Sequence, residues 1–131
     1  FSLPKMKTHQ LMYATGAVKN TFGLVPNLHK SPMHVAFPTR DQFASLIVGI
    51  ATVAKPAFSL MDAVIALEGP GPANGTPTHM GLLLASTDPI ALDWAEARIM
   101  GYDPEDIPIV REGIRRGLGS RPSTYPLLDA E

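Results

Sequence analysis

Apolar and polar positions alternate along this chain in two distinct rhythms, separated by prolines and glycines. Phe43, Leu46, Ile47, Ile50, Ala51 and Ala54 recur at helical spacing. Pro38 precedes that run, Thr39 is placed to cap it and Pro56 to end it, which predicts a core-packing helix. Ala57 to Leu67 instead alternates as a strand. Phe58, Leu60, Asp62, Val64, Ala66 and Glu68 are expected on one face, and Met61, Ala63, Ile65 and Leu67 on the other. His79 to Ala85 predicts a second, buried strand. Ser86-Thr87-Asp88-Pro89 then opens a helix filled by Ile90 to Met100, with Asp88 as cap, Pro89 in the first turn and Gly101 as stop. A last helix opens at Asp106 and Pro108 and carries Ile107, Val110 and Ile114 as its stripe. Arg111, Arg115 and Arg116 fall off that stripe and are expected in solvent; Gly117 and Gly119 end the helix.

The first third of the chain is less periodic. Phe1 to Thr8 reads as extended, because Pro4 biases Leu3 away from helix. Thr15 to Gly23 reads as a short helix with Thr15 as cap and Gly23 as stop. Leu24 to Phe37, with Pro26 and Pro32, reads as a loop. Strands interleaved with amphipathic helices define an α/β layered domain. It is expected to span 1–131 as one unit, with 120–131 as a tail. A sheet of about three strands is small; it is expected to continue in further chain or to pair with another copy.

Composition narrows the function. The formal net charge is −1, which argues against a general nucleic-acid binder. There is no cysteine, hence no thiolate nucleophile and no cysteine-ligated cluster within these residues. That absence fits a reducing, cytoplasmic setting. The longest apolar run, Leu46 to Ala54, is too short to cross a bilayer, so no membrane partner is expected. Phe1-Ser2-Leu3-Pro4 reads as the middle of a longer protein, which leaves an upstream targeting signal open.

Charge is distributed unevenly. Lys5, Lys7, Lys19, Lys30 and Arg40 all precede the first acidic residue, Asp41. Strand alternation puts Lys5, Lys7 and His9 on one face, where the lysines repel each other unless a carboxylate or an anion intervenes. His9 titrates near neutral pH and is a candidate for proton transfer. Asp62 and Glu68 are placed to pair with these cations or to accept a proton. Asp88 reads most simply as a cap, and Asp93 as an anion favoured by the dipole of its own helix. The glycine- and proline-rich segment Glu68 to His79 joins two strands and matches no nucleotide-binding fingerprint, which needs a helix directly after the loop. Gly69, Gly71 and Gly75 would let its backbone approach a ligand. His9, His29, His34 and His79 are scattered, so no metal site is expected.

Several blocks together resemble one family. They are Lys5-x-Lys7-Thr8-His9, Thr15-Gly16-Ala17-x-Lys19-Asn20-x-Phe22-Gly23, Met61-Asp62-Ala63, Glu68-Gly69-x-Gly71-Pro72-x-x-Gly75 and Ser86-x-Asp88-Pro89-x-Ala91-x-Asp93. The combination resembles the domain of unknown function 362 family, in its C-terminal half. The resemblance implies a redox-associated context, because many of the family's longer proteins carry ferredoxin-type iron–sulfur segments. Any such cluster would lie in further chain or in a partner. It also implies that the motif residues gather at one site.

The combined expectation is a small-anion-binding domain for a carboxylate or phosphate group. Lys5, Lys7, Lys19 and Asn20 would be its contacts, with Asp62, Asp88 and Asp93 also counted among the ligand-binding residues; His9, Glu68 and Lys7 are its catalytic candidates, supported by Asp62 and Asp93. The glycine loop would close over the ligand. The alternatives are a non-catalytic module that docks an acidic ferredoxin-like domain, and a structural fragment whose lysines simply pair with Asp62 and Glu68.

Overall fold

The computed structural model describes residues 1–123. It is an α/β arrangement with one mixed four-stranded sheet in the order β2-β1-β3-β4. β1 (Lys5–His9) lies parallel to β3 (Ser59–Glu68), and β3 lies antiparallel to β4 (Thr76–Ser86). The additional strand is β2 (Tyr13–Ala14), which turns back antiparallel to β1 and holds Tyr13 at φ 67°. Helices α1 (Ala17–Asn20), α2 (Asn27–Ala36), α3 (Arg40–Ala54), α4 (Pro89–Ile99) and α5 (Pro108–Arg115) complete the domain. None is long and apolar enough to cross a membrane among the described residues.

Local chemistry explains most boundaries. At α3, Thr39 accepts from Gln42 N–H while the Gln42 side chain accepts from Thr39 N–H, a reciprocal capping box. Asp88 accepts the Ile90 and Ala91 amides at the start of α4. The two cores meet on α4. Ile90 joins Phe43, Ile47 and Val110 in the helix–helix core, and Leu92 joins Met6, Met61 and Leu84 beneath the sheet.

Three expectations need correction. Leu24 to Phe37 is not a loop: Thr21–Leu24 is a 3-10 turn and α2 follows it, with Pro32 inside. No residue of α2 is buried, so it has no core stripe to betray it in the sequence; His34 instead stacks on Phe43 with ring centroids 4.3 Å apart. The cap of α1 is Gly16, not Thr15. Pairing of β3 with β4 shifts between Ala63 and Ile65, so the alternation reverses. Met61 and Ala63 are buried before the shift and Ala66 after it, which puts Asp62 and Glu68 on opposite faces. Arg111, Arg115 and Arg116 are exposed, as expected, and also reach Asp41, Glu112 and the Ser45 carbonyl, respectively. Of the expected tail, 124–131 lies outside the described residues.

Candidate functional site

The predicted cations separate into two groups. Lys5 is spent: its Nζ lies 2.8 Å from Asp62 Oδ2 on the open face of the sheet, both side chains about half exposed. Lys7 and Lys19 have no carboxylate within ion-pair distance among the described residues. Desolvation and the neighbouring Lys7 charge push the Lys19 ammonium down to about 8. His9 belongs to the same cluster. Desolvation, then Lys19, His34 and Lys7, lower it to about 4, so it is neutral at pH 7. Its Nδ1 accepts the Leu11 and Met12 amides, each at 3.2 Å, which leaves the ring proton on Nε2.

The carboxylates do not line this cluster. Glu68, at the end of β3, faces a cleft with Thr8 and Tyr102, and no carboxylate contributes to the perturbation of His9. Asn20 donates its amide to Ser2 Oγ at 2.9 Å. Asp88 caps α4, and its second oxygen accepts Ser120 N–H at 3.4 Å. The glycine loop packs on the strand end: a Cβ on Gly71 would lie 2.2 Å from the Thr8 carbonyl oxygen, and one on Gly75 would lie 2.5 Å from that of Glu68. Gly69 has φ 81° and its carbonyl accepts the Thr8 hydroxyl at 2.8 Å.

Asp93 acts on a different helix from the one expected. It lies within α4, yet its carboxylate accepts the Ala17 and Val18 amides at the start of α1, at 2.5 and 3.1 Å. Three residues on, Glu96 shares that face of α4 and is wholly buried. A Cβ on Gly16 would lie 2.2 Å from Asp93 Oδ1 and 2.6 Å from Glu96 Oε2, so both carboxyls crowd one glycine. Neither Glu96 oxygen has a hydrogen-bond partner of good geometry; nor does Thr15 Oγ1. The Lys7 backbone amide is the polar group that favours the ionised Glu96, and it is outweighed. Burial and then the Asp93 charge hold the Glu96 carboxyl well above its usual range. Burial raises Asp93 to about 7, opposed by its two backbone amides. A pair so placed retains a proton near neutral pH. The sequence reading missed Glu96; the available signal was its position, with Asp93, on the face of α4 that also carries Ile90 and Ala97.

No cysteine exists in the chain, and no group of three His, Cys, Asp or Glu side chains suited to a metal occurs among the described residues. The molecule is an α/β domain with a cation cluster beside β1 that has no carboxylate within ion-pair distance of Lys7 or Lys19 among the described residues, and a buried pair of acids on α4. Residues 1–98 match the family described as Domain of unknown function (DUF362), and the chain belongs to that family. It is also 38% identical over 129 residues to the thylakoid-associated protein sll1697 of Synechocystis sp.. That alignment covers 96% of this chain and 40% of the relative, so the chain spans well under half the relative's length. No solved structure matches.

Proposed function

We propose that this domain binds a small oxyanion, the phosphate or carboxylate group of a ligand, between Lys7, Lys19 and His9. The supporting observation is that the Lys7 charge disfavours the charged forms of Lys19 and His9, with no acid within ion-pair distance of either lysine among the described residues. Two neighbouring like charges, one of them desolvated, repel, and an anion between them relieves that repulsion. Neutral His9 adds a donor at Nε2 and is poorly suited as a base, because its Nδ1 is occupied. Lys5 and Asn20 have intramolecular partners and stand outside this reading. Binding, rather than catalysis by His9 with Glu68, is the function proposed.

Thermal melting in phosphate or citrate tests it, with matched chloride as control. The wild type should gain several degrees, and Lys7→Ala and Lys19→Ala should each lose most of that gain. The competing reading has the same lysines steer an acidic ferredoxin-like partner. It predicts no gain in phosphate and a complex with an acidic ferredoxin that weakens with salt.

A further inference from the structure

The carboxyl ends of the parallel strands β1 and β3 open into a cleft of about 290 Å³. In α/β sheets this end of parallel strands is where ligands are commonly held. The volume suits a fragment-sized molecule. Met6, Ala66, Met80, Ile99 and Met100 form its apolar walls, and Thr8, Glu68, Thr78 and Tyr102 supply its polar groups. Methionines adapt their shape to what they enclose.

Apart from the Tyr102 hydroxyl, which can also donate, its side chains offer acceptors. The Thr8 hydroxyl spends its proton on the Gly69 carbonyl at 2.8 Å, which leaves lone pairs. The Thr78 hydroxyl is directed to the Thr76 carbonyl at 3.5 Å. Glu68 accepts only, has no ion pair among the described residues, and no lysine, arginine or histidine lines the cleft. The walls are held in place at some conformational cost. Gly71 is pressed onto Thr8, and Tyr13, in the left-handed region at φ 67°, packs its ring on that of Tyr102 with centroids 5.8 Å apart and planes at 71°.

We propose that this cleft is a second binding site, for a small ligand with an apolar body and an ammonium head. Glu68 holds the head, the Tyr102 ring face adds cation–π attraction, and the methionines enclose the body. The site is independent of the oxyanion cluster, because Lys7 and His9 belong to the opposite face of β1 from Thr8.

Titration with n-butylammonium chloride, followed by amide chemical shifts at constant ionic strength, tests the proposal. Saturable shifts are expected at Thr8, Gly69, Met100 and Tyr102. Sodium butyrate should bind there at least about 10-fold more weakly, and Glu68→Gln should weaken n-butylammonium by about 10-fold or more, as loss of a charged acceptor does. Lys7→Ala should leave the titration unchanged, which separates this site from the oxyanion site. Glu68 is exposed, so its amide variant is expected to fold; an unchanged melting temperature checks that. Equal binding of butyrate, full binding by Glu68→Gln, or shifts that never saturate would each overturn the proposal.

Discussion

Two pairs of like charges flank the short helix α1, and they resolve their repulsion in opposite ways. At its N-terminus, Asp93 and Glu96 are buried together and hold on to a proton. In its last turn, Lys19 lies near Lys7 in a half-buried setting and gives its proton up more easily. The acids and the lysines form no ion pair with each other. Lys7 offers Glu96 its backbone amide rather than its ammonium. The contrast teaches that burial decides which pair is available to a ligand. The acids are sealed and neutralise themselves, whereas the cations remain near solvent without a counter-charge.

The comparison breaks most severely at Gly16. Gly16→Ala would drive a methyl group into Asp93 Oδ1, 2.2 Å away. Urea denaturation should show a loss of about 3 kcal/mol, the upper range for overpacking, since the acid is fixed by two backbone amides.

Next in size is the acid pair's signature in pH. The folded-state pKa of Asp93 is raised from 3.8 to about 7, so the folded state binds more protons than the unfolded one between those values. Stability contributed this way is present below pH 3.8 and declines as pH rises toward 7; Glu96, also raised, extends the decline upward. Glu96→Gln should flatten the part of the decline above pH 7 and leave the variant more stable than the wild type at pH 8 to 9, because the buried Glu96 carboxyl then no longer has to ionise. Chemical denaturation at a series of pH values measures this. A decline above pH 7 that persists unchanged in the variant would remove Glu96 from the account.

The lysine side is expected to respond less. The pKa of Lys19 is lowered from 10.5 to about 8, so the folded state binds fewer protons over that interval and stability rises with pH across it. Lys19→Met should therefore be neutral or stabilising by up to about 1 kcal/mol at pH 7 without added anion, after allowance for solvent screening. The advantage should vanish above pH 10.5. Smallest of all is Lys5→Ala. It removes a pair in which both side chains are about half exposed, and no resolvable change in unfolding midpoint is expected.

The sequence disclosed elements whose causes are local. Thr39 with Gln42, and Asp88 with Pro89, are capping signals that act within one turn, and α3 and α4 begin where they say. It concealed features set by tertiary context. α2 has no buried face, so its helical state leaves no apolar period. The irregularity near Val64 follows from pairing with β4 and reverses the expected faces of Asp62 and Glu68. The pairing of Lys5 with Asp62 was foreseeable from strand alternation and charge. The service of Asp93 to α1 was not, because its partners are more than seventy residues away.

The central claim is that Lys7 and Lys19 form an uncompensated pair that an oxyanion relieves. The most direct measurement is the titration of the Lys19 amine by NMR, with and without sulfate. The account predicts a midpoint near 8 in chloride, rising by about one unit or more in sulfate, in line with an opposite charge brought close; Lys7→Ala should raise the chloride midpoint and abolish the sulfate effect. A midpoint near 10.5 that sulfate leaves unmoved would contradict it.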